Sequence, residues 1–279
     1  MTNPTPQTPQ SAAHSPADAP EDYSSADYSP GPSTRWGLPQ FAIGLGAFVA
    51  IIVAVNVLAL FLPTDAQGPL LFAAVLAGYG ALFLTTFLAS RRRGTGSLAR
   101  DFGLRIRPVD LAIGLGVGIA AKIAGVIVAI PLVGLTGGVP TSNVPAQNDL
   151  VWIVLNTVVA TTLVAPVVEE LFFRGLLMRA IRNGILRGRA SHPRTHPPDA
   201  RRGRRALLGS VLVSSVVFML VHLYQALDLT TLLVLGSSTL LLGLANAVLA
   251  TRTGRLGPGI VAHMVFNGVA VLGFLSTGR

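Results

Sequence analysis

Three short patterns place side chains capable of acid–base chemistry in apolar surroundings. The first reads Val167-Val168-Glu169-Glu170-Leu171-Phe172-Phe173-Arg174. The second is Phe218-Met219-Leu220-Val221-His222, and the third is His263-Met264-Val265-Phe266-Asn267. An ionisable group in hydrocarbon costs about 2.5–3.5 kcal/mol on insertion scales, so each needs a partner or a task. Adjacent helical residues point about 100° apart, so the two glutamates face different ways. Glu170 and Arg174 are four apart and can pair on one face. Glu169 is then left without a local partner and is the carboxylate more open to a functional role. His222 follows Phe218 by one turn and, taken alone, reads equally as a functional or a hydrogen-bonded core residue. His263 and Asn267 share a helix face. Two such donors could hold an oxyanion or join neighbouring helices. Glu169, His222 and His263 would also make a zinc set with one position left for water, although no HExxH is present and the three lie in separate segments. The chain has no cysteine, which excludes a thiol nucleophile, a disulfide framework and a Cys-type zinc site.

The elements that carry these patterns are membrane-length. The 279 residues are 51% hydrophobic and 12% charged, about half the charge of a soluble domain. Apolar segments cover roughly 38–62, 69–89, 110–134, 150–186, 206–224, 229–250 and 257–275. These predict an all-α, polytopic membrane helix bundle of about seven transmembrane helices, with a short or re-entrant eighth near 94–107. The fourth segment is too long for a plain span and is expected to leave the bilayer as an amphipathic extension after Arg179. Residues 1–36 are rich in Pro, Ser and Thr, lack the apolar content for a core and are expected to be a disordered tail. They resemble no signal peptide. The expected division is 1–36 tail, 37–147 N-terminal transmembrane helices and 148–275 the part that carries the motifs.

Loop charge predicts the orientation. Arg91–Arg93, Arg100, Arg105 and Arg107 lie between the second and third segments, seven arginines lie within 187–205, and Arg252 and Arg255 precede the last segment. The intervening turns near Asp65, Asp149 and Asp228 have no Lys or Arg. The positive-inside rule then makes the N-terminus and basic loops cytoplasmic in a multi-pass cell-membrane protein. The net charge of +9 suits anionic headgroups rather than nucleic acid, since no nucleic-acid motif accompanies it. Glu169 lies 18 residues before Arg187, and His222 lies 17 after Arg205. Both would sit on the order of 25 Å along their helices from one loop. His263 is only 8 residues after Arg255 and fits that depth less well.

Together, Glu-Glu-x-x-x-Arg (Glu169–Arg174), Phe-x-x-x-His (Phe218–His222) and His-x-x-x-Asn (His263–Asn267) resemble the CPBP family. This family comprises the type II CAAX prenyl endopeptidases and bacterial Abi-type proteins, and the resemblance covers about residues 148–273. It implies an intramembrane endopeptidase acting on a membrane-associated protein or peptide. Glu169 would activate water, His222 would orient it, and His263 and Asn267 would stabilise the oxyanion. Glu170, Arg174 and Phe218 would support the site. No cofactor is favoured, and zinc on Glu169, His222 and His263 is the alternative.

Two other readings stand beside this one: a non-catalytic Abi-like scaffold or bacteriocin immunity protein, and a proton-relaying transporter. Lys122, mid-span in the third segment, is a candidate partner for a carboxylate. His192 and His196 sit beside prolines and read as solvated. Nothing in the sequence sets the oligomeric state.

Overall fold

The structure, a computed structural model, describes residues 35–63, 66–141, 149–187 and 200–277. The tail before residue 35, the Asp65 turn and the segment with His192 and His196 lie outside the described residues. Those described are helical, with no strand. The elements are α1 (Leu38–Ala59), α2 (Gln67–Arg93), the short α3 (Leu98–Phe102) and α4 (Pro108–Thr136). Residues 150–187 then form one long helix, α5, which alternates α and π winding. It is followed by α6 (Ala200–His222), α7 (Leu229–Thr253) and α8 (Gly257–Thr277). Six helices (α1, α2, α4, α5, α6 and α7) are long and apolar enough to cross a bilayer, and α8 holds a shorter apolar run, Gly257–Gly273. The chain is a multi-pass α-helical membrane protein, and α3 is the short helix expected near 94–107.

Helix α5 is central. Residues 168–180 are buried without interruption. A helix enclosed on all sides must be apolar all round, and Leu171, Phe172, Phe173, Leu176 and Leu177 meet that demand in the main core. Phe102 of α3, Phe218 of α6, and Leu256 and Ile260 at the start of α8 complete it. The exceptions in this stretch are Glu169, Glu170, Arg174 and Arg179, so each must be satisfied by protein.

At the arginine-rich end, polar contacts set the register of the bundle. Arg179 donates to the carbonyls of Asp101 and Gly254, each at 3.2 Å. Arg255 pairs with Asp110, whose Oδ2 also accepts the Arg107 amide at 2.8 Å as α4 begins. Helices α4 and α8 start side by side and run parallel. Gly118 permits their close approach, since a Cβ there would lie 2.6 Å from the Ala262 carbonyl oxygen. Small residues at such crossings are how apolar helices pack in lipid.

These contacts also resolve the depth of the motifs. The last ten residues of α5, Met178–Arg187, are an amphipathic extension, as expected beyond Arg179. They pack against the first turns of α6, where Arg202 donates to the Ile185 carbonyl through Nε and Nη2 at 2.9 and 2.7 Å. A length measured from Arg187 therefore overcounts the depth. From the Arg179–Gly254 contact, Glu169 lies ten residues along α5 and His263 nine along the chain into α8. The two arrive at one level.

Candidate active site

Glu170 shows how the bundle satisfies a buried charge. Its Oε1 lies 3.3 Å from Arg174 Nη1, across the i,i+4 spacing, with both side chains almost wholly buried. Asn246 of α7 donates to the same oxygen at 2.9 Å, and His263 Nδ1 of α8 lies 3.2 Å from it. Arg174 in turn donates to the Gly243 carbonyl at 3.2 Å, and its guanidinium carbon stacks 4.1 Å over the Phe218 ring. Three helices are thus fastened to one carboxylate. Asn246 has no place in the sequence motifs. The hint was a lone amide among the alanines and leucines of α7.

Glu169 faces a different set. The Tyr79 hydroxyl of α2 donates to its Oε1 at 2.9 Å. Its Oε2 is buried and accepts no hydrogen bond from the described residues. It lies 3.7 Å from His222 Nε2 and 3.7 Å from His263 Nε2. Both distances exceed a direct hydrogen bond.

The far nitrogens of the two imidazoles define their near ones. His222 Nδ1 lies 2.8 Å from the Phe218 carbonyl oxygen. A carbonyl only accepts, so this nitrogen carries a proton. In a neutral His222, Nε2 is then a lone pair aimed at Glu169. Phe218 also packs against His222 in a tilted arrangement, 4.4 Å between ring centroids, and meets His263 edge-on at 5.7 Å. One aromatic ring thus spaces both histidines and Arg174. His222 ends α6, where the chain leaves through a 3-10 turn, Leu223–Gln225.

Asn267 lies one turn beyond His263 on the same face of α8. Its Nδ2 donates to the Thr161 carbonyl at 2.9 Å. The cause lies in α5. Residues Ile153–Val164 are π-wound, and the Ala165 amide bonds the Ala160 carbonyl. The next amide would belong to Pro166, which has no N–H. The Thr161 carbonyl is left without a helical donor, and the Asn267 amide fills the place. An asparagine amide has a second N–H, so this bond does not exhaust it.

The structure therefore brings Glu169, His222 and His263 together around one oxygen, joins Glu170 and Arg174 beneath them, and sets Asn267 a turn away. Among the described residues no group of three His, Cys, Asp or Glu side chains is placed to hold a metal ion. Lys122 pairs with no carboxylate among the described residues. Its ammonium lies 4.6 Å from the centre of the Phe266 ring. A small pocket opens beside Glu169 and His222. Its walls are apolar (Leu45, Phe48, Leu82, Phe173 and Val221), with Tyr79, Tyr224 and Gln225 as further polar groups. The arrangement can take a proton from a small hydroxylic molecule at one end of an apolar pocket.

Residues 150–269 match a family model described as Type II CAAX prenyl endopeptidase Rce1-like. No curated protein and no solved structure gave a match. The matched region begins at the first residue of α5 and contains all three motifs, ending two residues after Asn267. Residues 150–269 are thus similar to the Rce1-like, type II CAAX prenyl endopeptidases, in agreement with the family that the three motifs resemble.

Proposed function

We propose that this chain is an intramembrane endopeptidase that hydrolyses a peptide bond of a membrane-associated protein or peptide with water activated by Glu169. The observation that carries this reading is the buried Glu169 Oε2 facing the Nε2 atoms of both His222 and His263, each at 3.7 Å.

The steps follow from the groups present. Glu169 takes a proton from water as the water oxygen attacks the scissile carbonyl carbon. His222, its Nδ1 proton held by Phe218, accepts the second O–H through Nε2 and aims the lone pair of the water. His263 has its Nδ1 on Glu170. When protonated, it presents Nε2–H to the developing oxyanion, with the free N–H of Asn267 as second donor. The charges then balance: Glu169 and Glu170 are negative, while Arg174 and His263 are positive. Collapse of the intermediate breaks the C–N bond, and Glu169 returns the proton to the leaving amine. No metal is required. Residues 148–275 form the catalytic part, with the N-terminal helices as its wall.

Loss of either the base or the water-orienting ring should end the reaction. Glu169→Ala and His222→Ala are each expected to abolish cleavage while leaving the folded protein in the membrane. Comparative membrane proteomics of cells with the wild type and with Glu169→Ala would display the substrates as fragments that vanish. An unchanged fragment set with both variants would overturn the proposal and favour a non-catalytic membrane scaffold.

A further inference from the structure

Helix α2 lies wholly outside the matched region 150–269, yet it makes the closest polar contact to Glu169. Residue 79 is the contact point. Its hydroxyl donates to Glu169 Oε1 at 2.9 Å, a separation of 90 residues in sequence. The ring is held in place by Phe48 of α1, with ring centroids 6.3 Å apart. Phe48 in turn lies against the bare backbone of Gly78, where a Cβ would come within 3.1 Å of it. Tyr79 also lines the cavity beside Glu169 and His222.

The consequence concerns rotation of the carboxylate. A glutamate in the middle of a helix can turn about its last bond, and its two oxygens are chemically equal until something distinguishes them. Here one oxygen is occupied by the phenol. The other is thereby directed between the two imidazoles, where no described residue donates to it. A general base must present its lone pair within hydrogen-bonding reach of the proton it removes, so a fixed rotation is part of its competence. Thr86, Ser90 and the other hydroxyls of α2 do not serve in this way: Thr86 bonds its own helix backbone, and Ser90 bonds Asp101.

We infer that Tyr79 is a positioning residue for the reaction, supplied by the N-terminal helices, which orients Glu169 so that its free oxygen faces His222 and His263. The inference rests on the endopeptidase reading for its kinetic effect but not for its geometry. The Tyr79→Phe variant removes one oxygen atom and keeps the ring packing, so it tests orientation rather than fold.

The experiment uses the full-length protein in proteoliposomes with an internally quenched, farnesylated C-terminal peptide as probe. Hydrogen bonds to charged groups are the stronger ones, so Tyr79→Phe is expected to lower kcat roughly tenfold to hundredfold, with KM changed by no more than about twofold. A purely structural role would leave kcat near the wild-type value or move both constants. Infrared difference spectra of wild type minus Glu169→Gln supply an independent measurement by isolating the Glu169 carboxyl band. That band is expected to shift in the Tyr79→Phe background. A wild-type kcat together with an unshifted band would overturn the inference and leave the endopeptidase reading intact. Should the wild type cleave no peptide while the band still shifts, the endopeptidase reading fails and the Tyr79–Glu169 contact stands. An inactive wild type with an unshifted band would sink both.

Discussion

Arg174 is a guanidinium with 0% exposure, placed among phenylalanines at the centre of a membrane bundle. Its partners explain why it is tolerated: the Glu170 carboxylate, the Gly243 carbonyl and the face of Phe218. Breaking a buried pair by removing one partner leaves a charge without compensation. Arg174→Ala is therefore expected to lower the unfolding free energy by roughly 3–5 kcal/mol, read from thermal unfolding in detergent. Asn246→Leu removes only one of three partners of Glu170 and should cost less. If Arg174→Ala were as stable as wild type, Glu170 could not be ionised in the native protein. The contrast with Glu169 is chemical. Glu170 gathers Arg174, Asn246 and His263 on one oxygen, whereas Glu169 takes one hydrogen bond from Tyr79 and turns its other oxygen toward two imidazoles. That difference suits Glu170 to a bracing role and Glu169 to the role of base in the proposed reaction.

Among the helices, the positions of His263 and Asn267 depend on how closely α8 approaches α4 and α5. Gly118 is a contact point for the first approach. A single added methyl would press on the Ala262 carbonyl and on Val265, one and two residues from His263 in the helix. Backbone cannot yield as a flexible side chain can, so Gly118→Ala should push α8 outward. Overpacking of this kind costs about 1–3 kcal/mol, and the displaced His263 should lower peptide cleavage as well. Gly116, on the same helix, meets nothing within 4 Å. Gly116→Ala should therefore be neutral or slightly stabilising, by up to about 1 kcal/mol. Equal behaviour of the two variants in thermal unfolding and cleavage would refute this account of the α4–α8 packing. The second approach is set by Pro166, which empties the Thr161 carbonyl of its helical donor and so gives Asn267 a fixed partner on α5. π-winding is often found at functional sites, and here it lies on either side of Glu169, at Ile153–Val164 and at Glu170–Leu177, the second segment beginning with Glu170.

For the whole molecule, the open question is which end faces the cytoplasm. We propose the arginine-rich end, from the distribution of Arg91–Arg93, Arg100, Arg105, Arg107, Arg252 and Arg255. The absence of native cysteine makes the test direct. With a membrane-impermeant maleimide on intact cells, Leu227→Cys at the opposite end should be labelled. Arg92→Cys should react only after the membrane is permeabilised. The reverse pattern would invert the orientation. The same end holds the polar fastenings Arg179–Gly254 and Asp110–Arg255, so the site lies nine or ten residues from a rigid base.

The amino-acid sequence by itself determined the spans, the short α3, the amphipathic end of α5 and the pairing of Glu170 with Arg174. Each depends on local spacing: a run of apolar residues, or two side chains one helical turn apart. It also supplied the family resemblance, because the three motifs are contiguous strings. Other features were decided by tertiary structure alone: the convergence of three helices on Glu169 Oε2, the bond from Tyr79 across 90 residues, and the clamp of Asn246 on Glu170. In water, a helix advertises its buried face by an apolar stripe. In a bilayer, both the lipid and the bundle interior are apolar, so α2 and α7 carry no stripe that tells which face turns inward. That choice is made by glycine contacts and by a few polar tips, and their meaning emerges only when the partner helix is in place.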